Sequence, residues 1–252
     1  MRVQRTMMRF QSFLFVSAML LLGCSEKEIL SLPKTAEYFP LVVGKYITYR
    51  LDSTVIINSG QTVVTRSYQA RDMIDAMVTD NAGRPAFRIR RMLRDTAGTT
   101  PWQDNTTFIA TAVNNGFEFW DNGLRFIKLK DPVRNEFSWK GNSFIDTYSL
   151  NSELKWMDGW DYTYQNVEAS YTSGTRNFTN TITVSQRNET LGNINNPNSF
   201  SERNFALEVY AKGTGLIYKE LLHIEYQPPA PPRNFGFRVG FGIKLRFIES
   251  NW

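Results

Sequence analysis

Residues 45–57 read KYITYRLDSTVII, and this stretch decides the fold class. Ile47, Tyr49 and Leu51 alternate with Thr48, Arg50 and Asp52, the period of two that a strand shows when one face is buried and the other meets water. The same habit continues in both directions. Breaks come at NSG (58–60), DNAG (80–83), TAGTTP (96–101), NNG (114–116) and DNG (121–123). Such Asn, Asp and Gly clusters accept the positive φ that tight hairpins need.

Toward the C-terminus, NFTNTITVSQ (177–186) and NFALEVYAKGTGLIYKELLHIEYQ (204–227) alternate likewise. Gly213 and Gly215 flank Thr214 between two alternating runs, so a hairpin is expected there rather than a phosphate-cradling loop, which needs a following helix. RNETLGNINNPNSF (187–200) reads as a loop, and QPPAPPRN (227–234) as a stiff connection into the last strand. No long amphipathic helix follows Leu22. The expectation is an all-β chain: a predominantly antiparallel, strongly curved sheet built from hairpins, as a half-barrel, a barrel or a sandwich. With 42% apolar and 14% aromatic residues, 38–252 can bury a core as one domain.

The N-terminus has a different grammar. Arg2, Arg5 and Arg9 precede an apolar run from Phe10 to Leu22, too short for a membrane-spanning helix and ordered like an export signal. Leu21, Leu22, Gly23 and Cys24 resemble the bacterial lipoprotein box. The resemblance implies cleavage before Cys24 and acylation of that cysteine, so residues 1–23 read as signal peptide and 24–37 as a tether. Two or more acyl chains hold a protein on a bilayer without a span. Ser25, Glu26, Lys27 and Glu28 resemble the surface-export signal of Bacteroidota lipoproteins, although a solvated linker has the same composition. The expected location is the outer membrane, lipid-anchored, at the periplasmic face or the cell surface.

EYFPLVVGKYITYRLDS (37–53), SWKGNSF (138–144), FTNTITVSQ (178–186) and EVYAKGTGLIYKE (208–220) are similar to the recurring motifs of an uncharacterised group of Bacteroidota lipoproteins. That resemblance carries a location and a β fold, and no catalytic residue.

Several chemistries lack their parts. Cys24 is the sole cysteine, which leaves no disulfide framework and no cysteine-based metal site. His223 is the sole histidine, so a His-based zinc site is excluded, and a Ser-His-Asp triad would depend entirely on that residue. It reads as a strand histidine. No cofactor and no metal ligand is assigned, and the chain is read as not an enzyme. Losing residues 1–23 removes three arginines and no acid, so the net charge falls from +5 to +2, weak grounds for a nucleic-acid partner.

Two patches remain. WMDGWDYTY (156–164) sets Asp158 and Asp161 among Trp156 and Trp160; it reads as a structural aromatic hairpin or a glycan contact. RPAFRIRRMLRD (84–95) puts Arg88, Arg90 and Arg94 on one strand face, either paired with acids of the next strand or open to phosphates. The function expected is a non-catalytic binding or structural role toward an envelope protein, glycan or lipid. The alternatives are a lipophilic-ligand carrier with a half-barrel cavity and an integral outer-membrane β-barrel, the latter disfavoured by Arg88 to Arg94.

Overall fold

The computed structural model describes residues 32–252. A single helical turn, α1 (Thr35–Tyr38), precedes twelve strands: β1 (Tyr46–Ile57), β2 (Thr62–Thr79), β3 (Pro85–Arg94), β4 (Gln103–Val113), β5 (Gly116–Asp121), β6 (Leu124–Lys130), β7 (Ser138–Trp139), β8 (Tyr162–Ser173), β9 (Arg176–Gly192), β10 (Ser201–Ala211), β11 (Gly215–Gln227) and β12 (Phe237–Ser250). They form one antiparallel sheet in the order β6-β5-β4-β3-β2-β1-β12-β11-β10-β9-β8-β7. The all-β expectation holds, as a nearly closed barrel.

The order describes two six-stranded meanders joined where β1 pairs with β12, with Tyr49 opposite Phe247 and Leu51 opposite Leu245. Each meander follows its turn signals: all five breaks between Asn58 and Gly123 fall at the junctions of strands, with Gly116 and Asp121 as the end residues of β5, and Lys212–Thr214 turns the β10–β11 hairpin. The free edges β6 and β7 then meet across the closing seam. Ile127 N donates to Gly141 O at 2.7 Å, and the Trp139 indole donates to Ile127 O at 2.8 Å. Gly141 is required there, because a Cβ would overlap the Tyr162 ring.

Three expectations change. β9 runs on to Gly192 and pairs with Ser201–Ala206, so the Asn-rich loop is confined to 193–200. Backbone pairing outweighs its polar composition. The compact domain starts before residue 38: Thr35 N donates to Asp131 Oδ1 at 3.0 Å and Tyr38 is fully buried, so the last residues assigned to the tether belong to the fold. WMDGWDYTY is not a hairpin. It holds a 3-10 turn, η1 (Lys155–Met157), at the end of the long β7–β8 loop.

Strand alternation sorts the charges by face. Away from the interior, Asp104 on β4, Arg90 and Arg88 on β3, Asp75 on β2, Asp52 on β1, Arg246 and Lys244 on β12 and Glu220 on β11 form cross-strand ion pairs. A lipid-facing barrel needs a continuous apolar band on that surface. Here a belt of ion pairs crosses it.

Candidate functional site

The interior is not uniformly apolar. Ile47 and Tyr49 on β1, Ile74 on β2, Ile89 on β3 and Phe108 on β4 surround a layer of six charged groups: Asp72, Arg91, Asp121, Lys128, Glu208 and Lys219. Each occupies the buried phase of its strand. Asp72 and Arg91 are directly opposite across β2 and β3, and the guanidinium grips the carboxylate through two bonds of 2.6 Å. Glu208 is opposite Lys219 across β10 and β11, with Lys219 Nζ 3.7 Å from Oε1. Lys128 on β6 reaches Glu208 from the other meander, Nζ to Oε1 at 2.7 Å, and Tyr210 Oη donates to Oε2 at 2.7 Å.

Burial pushes the Glu208 carboxyl up. Lys128 and Lys219, with the hydrogen bonds from Lys128 and Tyr210, outweigh that penalty and hold it down at about 2. Burial, followed by the neighbouring Lys128 charge, pushes the Lys219 ammonium below its ordinary value. The Lys219 ammonium makes no hydrogen bond among the described residues, so its protons are available to a ligand.

This charged layer divides the interior space. On the side of Ile47, Tyr49 and Leu216 lies a cavity of about 70 Å³, room for a few waters. On the other side a cleft of about 350 Å³ opens between β6, β11, β12 and the β7–β8 loop. Asp121, Lys128 and Lys219 line both spaces. The cleft walls are Leu124, Phe126, Leu154, Trp156, Phe241 and Ile243. Its volume is in the range of small-ligand sites, about 300–1,000 Å³. Gln186, 6% exposed, also lines it, and its Nε2 has no hydrogen-bond partner.

The β7–β8 loop that forms one wall is pinned from within. Asn142 Nδ2 donates to Met157 O at 2.7 Å, Thr147 Oγ1 to Asp158 Oδ1 at 2.9 Å, and the Trp160 indole to Trp156 O at 2.9 Å. Of the four residues considered for glycan contact, Trp160 is 1% exposed and packs in the core. Asp158 is tied to Thr147, and Asp161 pairs with Lys140 on the surface. Trp156 and Trp160 both line the cleft, Trp160 from its buried position in the core and Trp156 as the more open of the two.

The arginines considered for anion contact stay together on the outer face, each with a partner. Asp75 holds Arg88 through two bonds of 2.9 Å, Asp104 holds Arg90 at 2.6 Å, and Gln69 accepts two bonds from Arg94, which stacks over Trp102. Cys24 and Ser25, Glu26, Lys27 and Glu28 lie outside the described residues.

The sequence reading missed the interior charges. A signal was present: Glu208 falls in phase with Ala206 and Tyr210, and Lys219 with Ile217 and Leu221, a charge where alternation demands an apolar group.

No family model matches the sequence, and no curated protein matches it. Among solved structures, the chain is similar to a Bacteroides fragilis protein inferred to be exported and described as having a YmcC-like fold. The two share 8% identity over 84% of this chain and 99% of that one, with a TM-score of 0.35, and a likeness this distant assigns no residue.

Proposed function

We propose that the protein is a lipid-anchored, non-catalytic binding protein of the cell envelope, and that its ligand occupies the cleft beside Trp156. The observation that carries this reading is a ligand-sized space with apolar walls ending on Lys128, Lys219 and the unpartnered Gln186 amide. Sites that hold small amphipathic molecules have that composition: mostly apolar walls with a few convergent polar groups. The alternative of a lipophilic carrier differs only in what the occupant does next. An acyl chain or a ring system fits the walls, and its polar end meets the lysines.

The anchor comes from the sequence: Leu21 to Cys24 resemble the lipoprotein box, and the wider motifs resemble Bacteroidota lipoproteins of the outer membrane. One preparation tests both halves. The full chain, extracted from membranes in mild detergent, is weighed intact under denaturing and native conditions. The expected result is a chain beginning at acylated Cys24 and, in the native spectrum, one small molecule per chain that is lost in Trp156→Ala. A chain still beginning at Met1 overturns the anchor. An empty wild type, or equal occupancy in Trp156→Ala, overturns the cleft.

A further inference from the structure

A different group of side chains lies at the end of the β10–β11 hairpin away from its turn. Glu202 is directly opposite Glu225, and Asn204 directly opposite His223. Spacing of two along each strand puts all four on one face. Two carboxylates opposed across strands repel, and among the described residues neither forms an ion pair with a lysine or arginine. Among the described residues the only titratable partner of either is His223, with Nδ1 3.8 Å from Glu202 Oε1 and Nε2 3.7 Å from Glu225 Oε1.

The hydrogen bonds fix which atoms are free. An ionised Glu202 can only accept, so the Asn204 amide nitrogen faces it, at 2.6 Å. Asn204 Oδ1 is thereby turned to His223 Nδ1, at 2.8 Å, and that nitrogen carries the proton. His223 Nε2 is left with a lone pair pointing toward the Glu225 carboxylate, which is also an acceptor. The histidine is 7% exposed, and Nε2 has no donor among the described residues. A cation held between the two acceptors satisfies both.

Against the expectation drawn from a sole histidine, we propose that Glu202, His223 and Glu225 bind one divalent transition-metal ion of the Zn²⁺ class, two carboxylates supplying what further histidines would, with Asn204 fixing the imidazole tautomer and water completing the shell. One ligating atom from each residue lies within 4.8 Å of the other two. Zn–N and Zn–O bonds of about 2.0–2.2 Å place ligand atoms roughly 3–4 Å apart. The Nε2–Glu225 pair at 3.7 Å is already in range, and Glu202, 3.8 Å from Nδ1, joins by turning its carboxylate toward Nε2. A ligand histidine whose other nitrogen donates to a carbonyl oxygen is the usual outer-shell arrangement. Gly240 lets β12 approach this point, since a Cβ there would strike His223 O. Trp156 stacks on the His223 ring with centroids 4.4 Å apart and so connects this site to the cleft.

Zn²⁺ titration of the full chain in detergent, after chelator treatment, tests the site. One Zn²⁺ per chain is expected, with affinity at least tenfold weaker in His223→Ala and in Glu225→Gln. Glu225 has a 30% exposed side chain, so its variant stays folded if His223→Ala does not. Ni²⁺ provides a positional check: it should quench part of the tryptophan fluorescence in the wild type and not in Trp156→Phe, which still binds Zn²⁺. Substoichiometric Zn²⁺ binding by the wild type, or wild-type affinity in Glu225→Gln, overturns the proposal.

Discussion

Arg90 and Arg91 are neighbours in the chain and opposites in setting. Arg90 turns outward on β3, 38% exposed in its side chain, and meets an Asp104 that is itself 71% exposed. Arg91 turns inward, 12% exposed, and grips an Asp72 that is 15% exposed, in the same layer as Lys128, Glu208 and Lys219. On the outer face water screens each charge, and an ion pair adds little. Inside, removing charge from water is costly, and only close pairing offsets it. The arginine density of residues 84–95 therefore draws attention to the face where charge is cheap. The groups that shape the interior come singly, one from each of six strands divided between the two meanders.

The largest effect should follow from breaking the inner layer at its centre. Glu208→Gln leaves Lys128 and Lys219 buried without their counter-ion, and breaking a buried pair costs about 3–5 kcal/mol. Denaturant unfolding should show that loss. Replacing Lys128, Glu208 and Lys219 together by Met removes every stranded charge and should cost less than the single change. If the triple variant is the less stable of the two, the layer stabilises the barrel by more than its pairing accounts for.

Acid should have a smaller effect on the same group. The folded Glu208 pKa of about 2 is below its unfolded value of about 4.5, so the carboxylate's contribution is fully present above pH 4.5 and is lost as pH falls toward 2. Unfolding midpoints of the wild type should drop across that window, and Glu208→Gln should drop less steeply. Parallel slopes would mean that other carboxylates carry the acid sensitivity and that the inner layer resembles the outer belt.

The same contrast explains how much was legible. Alternation in residues 45–57 and the Gly-containing turns specify hairpins, because strand period and turn chemistry act over a few residues. The glycan and anion patches were visible as local composition, but burial of Trp160 and pairing of Arg88 with Asp75 depend on neighbours from other strands. The Lys128 to Glu208 contact spans 80 residues and joins the two meanders across the barrel, beyond any local pattern. The grouping of Glu202 with His223 and Glu225 was hidden in the same way. Reading His223 among its own neighbours on β11 shows Glu225 and leaves out Glu202 and Asn204 on β10.

The smallest effect should come from Arg90→Ala. Its bond to Asp104 is short, at 2.6 Å, but a short distance between exposed groups is not strength: the pair gives up side-chain freedom to form and is weakened by salt. The second contact, Nη1 to Asp75 Oδ2 at 3.8 Å, is redundant, because Asp75 is already held bidentate by Arg88. The expected loss is about 0–1 kcal/mol at low ionic strength, shrinking further in 0.5 M salt. Denaturant midpoints at two salt concentrations would measure it. A salt-insensitive loss as large as that of Glu208→Gln would mean that the outer belt is shielded from water by something seated on it, and Arg88, Arg90 and Arg94 would then regain their place as a binding face.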